Sequence, residues 1–100
     1  MDQATPLLDT VLDVLRAHRE NARATGVELV GVVGSVARGD QHEGSDVDVV
    51  YDVISPGHLW PFLGVVADIE DALGRKVDIV DRQMMRPESW AWMSRDLAPL

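Results

Sequence analysis

Apolar positions along the chain follow two kinds of spacing. Leu8, Leu12 and Leu15 recur at helical intervals beside Leu7, Val11 and Val14, whereas residues 28–33 and 46–51 are short Val-rich runs of the kind that fill strands. Thr5 and Pro6 look like an N-cap and first helical position, so the first pattern predicts an amphipathic helix that ends near Gly26. Asp9 and Asp13 toward its start and Arg16, Arg19 and Arg23 toward its end suit the helix dipole.

Residues 28–33 are almost wholly apolar and bounded by Gly26 and Gly34, which predicts a buried strand. Residues 34–39 then have room for one or two helical turns, followed by a polar loop of Asp40, Gln41, His42, Glu43 and Gly44. Residues 46–51 form the next predicted strand. Period-two alternation puts Asp46, Asp48 and Val50 on one face and the core-forming Val47, Val49 and Tyr51 on the other.

A turn at Ser55-Pro56-Gly57 leads to a helix in which Pro61 is tolerable only in the first turn. Phe62, Val65, Val66, Ile69 and Leu73 form its apolar stripe, and Gly74 stops it. Residues 75–81 make a third strand, with Val77 and Ile79 alternating with Asp78 and Val80. Beyond Pro87, residues 88–100 predict a short final helix presenting Trp90, Met93 and Leu97 on one side. The order is helix, strand, small helix, strand, helix, strand, helix. It describes an α/β fold, a small mixed sheet with flanking helices, in a single domain over residues 1–100.

Composition narrows the function. Seventeen Asp and Glu against nine Lys and Arg give a formal charge of -8, which repels a phosphate backbone and disfavours a long polynucleotide ligand. A single nucleotide remains compatible, because divalent cations between carboxylates and a triphosphate reverse the local electrostatics. The absence of cysteine excludes disulfides, thiolate metal sites and cysteine nucleophiles, and His18, His42 and His58 are too dispersed for a zinc motif. The start MDQATP lacks a basic, apolar leader and no stretch approaches a membrane span, so a cytoplasmic protein is expected. One hundred residues leave no space for a separate recognition domain, so the acceptor is expected to be small or to lie on another chain.

Asp46 and Asp48 share a strand face, and Asp78 joins them if the third strand pairs in a register that turns it inward. Such carboxylates supply the hard oxygen ligands that Mg²⁺ requires. Gly34 permits a close turn at a strand end, and Ser35 offers a hydroxyl and a backbone N–H at a helix start, where phosphate is favoured. Arg38 either contacts the nucleotide or pairs with a nearby acid. His42 and Ser45 are taken as loop and turn residues, and Trp90 and Trp92 as core or partner surface in preference to a base-stacking role.

The segment GSVARGDQHEGSDVDVV resembles the signature of the DNA polymerase beta-like nucleotidyltransferase superfamily: Gly-Ser, ten residues, then Asp-Val-Asp. It looks most like the minimal nucleotidyltransferase (MNT) branch, whose members are antitoxins paired with HEPN toxins, and the likeness extends through RKVDIV. The resemblance implies the minimal nucleotidyltransferase fold and assigns triphosphate binding to Gly34 and Ser35. It also assigns Mg²⁺ binding and catalysis to Asp46, Asp48 and Asp78, with Asp78 assisting the acceptor hydroxyl.

It further implies transfer of AMP from ATP to a tyrosine hydroxyl of a partner HEPN ribonuclease toxin. Two alternatives stay open: a non-catalytic antitoxin that occludes its partner, and transfer to a small-molecule hydroxyl. Trp60, Phe62, Trp90 and Trp92 suggest an apolar face that a second copy or the toxin would cover. Neither the oligomeric state nor the choice among ATP, CTP and GTP is written in the motif.

Overall fold

The computed structural model describes residues 6–57 and 59–100. Thr5, the expected N-cap, and His58 lie outside the described residues. Pro6 sits one position earlier than expected: its extended backbone (φ -52°, ψ 141°) makes it the residue before α1 (Leu7–Ala17), and its carbonyl accepts from Asp9 and Thr10.

The long first helix is in fact two. It breaks at His18, whose backbone leaves helical geometry (φ -103°, ψ 3°) and whose ring Nδ1 lies 2.8 Å from the Val14 carbonyl oxygen, before α2 (Arg19–Ala24) resumes. The break re-aims α2 so that Arg19 and Arg23 both reach Glu28 on the following strand, each with an Nε–O distance of 3.1 Å. Val11 and Leu15 are the fully buried residues of α1, with Leu7, Leu8, Leu12 and Val14 packed around them.

Four strands, β1 (Val27–Val33), β2 (Val47–Val53), β3 (Val77–Asp81) and β4 (Ala98–Pro99), form one mixed sheet in the order β3-β2-β1-β4. β1 runs antiparallel to β2, and β2 runs parallel to β3. α4 (Leu59–Leu73) provides the crossover between β2 and β3, with Phe62, Val65, Val66 and Ile69 buried. Pro61 is the third residue of this helix, where its missing N–H costs no intrahelical bond.

The core lies between one sheet face and the helices. Val47, Val49 and Tyr51 enter it from β2, as alternation requires, and Tyr51 packs on Phe62 with ring centroids 5.0 Å apart. On β1 the alternation changes phase. The register shifts between Leu29 and Gly31, so Val27, Leu29 and Val32 face the core while Val33 pairs with Asp48 on the opposite face. This β-bulge is the device that brings the end of β1 onto the same side as the aspartates.

The chain end departs most from expectation. α5 (Pro87–Met93) is followed by a 3₁₀ turn, Ser94–Asp96, and then by β4 (Ala98–Pro99), which pairs antiparallel with Gly31 and Val32. The segment expected to be one helix therefore closes an edge of the sheet. Gly31 makes this docking feasible, because a Cβ there would overlap the Ala98 carbonyl oxygen. Among the described residues, no helix is long and apolar enough to cross a membrane.

Candidate functional site

β1 delivers Gly34 at its C-terminal end, where α3 (Gly34–Arg38) begins. Gly34 has φ +81°, a conformation that costs an L side chain about 1–2 kcal/mol. A second constraint acts at the same atom: a Cβ at Gly34 would overlap Asp48 Oδ2. The strand end and the carboxylate are thus in direct apposition, a geometry open only to glycine. Ser35 follows on the first turn of α3, whose start has no side-chain cap.

Asp48 is the second residue of β2, and its neighbour across the parallel pair is Asp78, the second residue of β3. The register that would turn Asp78 toward Asp48 is the one observed. Asp46 precedes the strand by one residue, at the end of a loop held by local bonds. The His42 N–H donates to Ser45 Oγ at 2.9 Å, and Arg75 donates to the Ser45 carbonyl at 3.1 Å. Ser45 therefore shapes the turn, and His42 is a loop residue whose Nδ1 accepts from the Gly44 N–H.

Electrostatics mark Asp48 as the strained member. Its carboxyl is held above the usual value, first by partial burial and then by the negative charges of Asp78 and Asp46, with Arg38 acting in the opposite direction. Among the described residues, the cation paired with Asp78 is Lys76, whose Nζ lies 4.0 Å away. A carboxylate pressed by two others in a half-buried position is stabilised by an added cation. The donor set is all oxygen, as Mg²⁺ requires, and the residues present fit such an ion. Among the described residues, no three His, Asp or Glu side chains already close into a cation cage. Asp48 and Asp78 on neighbouring strands leave coordination positions for water and phosphate oxygens, the usual way in which Mg²⁺ is held.

Arg38 lies at the end of α3 and is committed to acids. Its Nε donates to Asp40 at 3.0 Å and its Nη1 to Asp96 at 3.1 Å. Of the two roles left open for it, the structure displays the ion pair. Asp96 belongs to the C-terminal 3₁₀ turn, and Val33, Gly34, Asp48, Trp92, Met93 and Asp96 surround one small cavity together with Arg38. The contribution of the C-terminal segment to the site was not foreseen, since the residues that bring it there are Gly31 and β4 rather than any motif. Trp92 is 72% exposed, which removes it from the core.

The surface aromatics do not form the single face expected of them. Phe62 is wholly buried, Trp90 half-buried beneath Arg82, and Trp60 82% exposed at the start of α4.

The model of the nucleotidyltransferase domain matches residues 13–95. The chain belongs to the nucleotidyltransferase domain family. The protein adenylyltransferase MntA of Thermococcus cleftensis is 34% identical over 80 residues, which span 79% of this chain and 81% of that protein. A proposed protein adenylyltransferase of Methanocaldococcus jannaschii is 30% identical over 76 residues, 75% of this chain and 78% of the relative. A solved structure of a proposed minimal nucleotidyltransferase superposes with TM-score 0.67 at 33% identity, covering 89% of this chain and 95% of that one. A toxin-antitoxin crystal structure with AMP-PNP shares the fold at TM-score 0.54 and 22% identity, covering 78% of this chain and 59% of that one. The nucleotidyltransferase fold expected from the Gly-Ser and Asp-Val-Asp signature is the fold observed.

Proposed function

We propose that this member of the nucleotidyltransferase domain family is an antitoxin that transfers AMP from ATP to a tyrosine hydroxyl of a partner HEPN ribonuclease toxin. The observation that carries the reading is the apposition of Gly34 with Asp48, and of Asp48 with Asp78, at one end of the sheet. Relatives named as protein adenylyltransferases support the choice of AMP and of a protein acceptor. The toxin-antitoxin structure that shares the fold supports the biological setting.

In this reading the triphosphate rests on Gly34 and Ser35, with Arg38 exchanging an acidic partner for phosphate. Asp46, Asp48 and Asp78 would hold Mg²⁺, which supplies charge stabilisation at the transferred phosphorus and the leaving group. Asp78 takes the proton of the acceptor hydroxyl. The acceptor oxygen forms a bond to the α-phosphorus as the bond to the β-phosphate bridging oxygen breaks, and pyrophosphate leaves with that electron pair. Positioning and electrostatics carry such a transfer, so a small scaffold suffices when the partner presents its own acceptor. We further propose that residues 1–100 act as a single domain in the cytoplasm.

The competing possibility is an antitoxin that works by occlusion alone. The Asp46→Asn/Asp48→Asn double variant separates them. Retained toxin binding with lost neutralisation supports transfer, whereas retained neutralisation with undiminished complex formation supports occlusion.

A further inference from the structure

Beside the site, Arg38, Trp92, Arg95 and Asp96 line a cavity of about 440 Å³, within the range that takes small ligands. The smaller cavity of about 130 Å³ that reaches Gly34 and Asp48 shares Arg38, Trp92 and Asp96 with it. The two are parts of one trough, which begins at the Gly34 and Asp48 apposition and continues to Trp92 and Arg95.

The chemistry changes along this trough. At its inner end are the carboxylate of Asp48 and the backbone of Gly34; the ion-paired Arg38 and Asp96 and the indole of Trp92 line both parts, and Arg95 is added at the outer end, in a chain of net charge -8. Trp92 is 72% exposed, an expensive position for so large an apolar side chain, and it lines both parts. The Arg95 guanidinium carbon lies 4.8 Å from the Trp92 ring centroid, a cation–π contact that limits the orientations of the ring. An anionic ligand with a flat aromatic group matches this sequence of surfaces.

We propose that Trp92 is the platform on which the base of the nucleoside triphosphate stacks, with Arg95 holding the ring in place. The inference rests on the nucleotidyltransferase reading and adds to it a residue of the C-terminal segment. Every nucleobase has a π-face, so the platform contributes affinity without choosing among bases.

The test is equilibrium binding of ATP, CTP and inorganic tripolyphosphate, each with Mg²⁺, to the full chain and to its Trp92→Ala and Trp92→Phe variants. The alanine variant is expected to bind both nucleotides about ten-fold more weakly or worse, from the usual strength of base stacking on an aromatic side chain. Its affinity for tripolyphosphate should be unchanged, and phenylalanine should restore most of the loss. Equal affinity of wild type and Trp92→Ala for ATP overturns the platform, as does an equal weakening for all three ligands, which would mark a general disturbance of the trough. If the wild-type chain binds neither nucleotide nor tripolyphosphate, the nucleotide reading itself falls and takes this inference with it.

Discussion

Gly34 and Asp48 occupy adjoining positions that admit no Cβ between them: a methyl group on Gly34 would meet the Asp48 carboxylate oxygen. The positive φ of Gly34 and the pairing of Val33 with Asp48 hold the two in place from both sides. Gly34→Ala should therefore lose about 1–2 kcal/mol of stability to backbone strain and should also push the Asp48 carboxylate aside. Denaturant unfolding reads the first effect. A loss of nucleotidyl transfer larger than the stability change explains reads the second.

The same crowding makes the charged form of Asp48 costly to stability. Its folded-state proton affinity is raised above the ordinary value of 3.8 by partial burial and then by Asp78 and Asp46. The folded chain consequently holds that proton more tightly than the unfolded chain. The associated stability is fully present below 3.8 and is lost as pH rises through the folded value. At neutral pH the charged form opposes folding, so Asp48→Asn should raise the melting temperature of the nucleotide-free protein while abolishing transfer. The gap between variant and wild type should narrow as melts are repeated toward the ordinary carboxylate range.

Arg38 and Asp96 are 58 positions apart in sequence, yet their 3.1 Å contact joins the end of α3 to the C-terminal turn. If Arg38 takes phosphate when nucleotide arrives, Asp96 competes for it. Asp96→Asn is then expected to tighten tripolyphosphate binding several-fold, and Arg38→Ala to weaken it in both backgrounds. Calorimetric titration of the two single variants and the double variant measures the coupling directly.

Gly31 sets the position of the C-terminal segment. Adding a Cβ there forces apart two backbones, β1 and β4, which cannot give as a side chain would. Gly31→Ala should release β4 and with it the trough wall. Faster proteolysis beyond residue 93 and altered fluorescence from Trp90 and Trp92, with the remaining secondary structure intact, are the expected signs.

Much of this architecture was legible in the sequence because it depends on local alternation. Val47, Val49 and Tyr51 enter the core opposite Asp48, and Phe62, Val65, Val66 and Ile69 line α4 as their spacing predicts. The register of the third strand was open in the sequence, and the parallel pairing that sets Asp78 beside Asp48 is supplied by the structure. What escaped prediction depends on contacts between distant or competing groups. The break at His18 involves a ring nitrogen and a backbone carbonyl four residues earlier, against an apolar pattern that runs on. The bulge at residues 29–31 changes the phase of a strand that is apolar on both faces beyond Glu28, so the change has no hydropathic mark. β4 consists of Ala98 and Pro99, too short to carry a period, and is recognised only by its partner Gly31. Arg38 carried two compatible roles in the sequence; the structure displays the ion pair, with Asp40 nearby in the chain and with Asp96, whose approach is long-range and has no local mark.

The central claim is the transfer of AMP to a partner, and intact-mass measurement tests it most directly. The native binding partner is incubated with this protein, Mg²⁺ and each nucleoside triphosphate in turn, beside the Asp46→Asn/Asp48→Asn variant. The account predicts a partner heavier by AMP after incubation with ATP, dependent on Mg²⁺, absent with the double variant and mapped to a tyrosine. A partner that stays unmodified while bound and inhibited by the wild-type protein would contradict it.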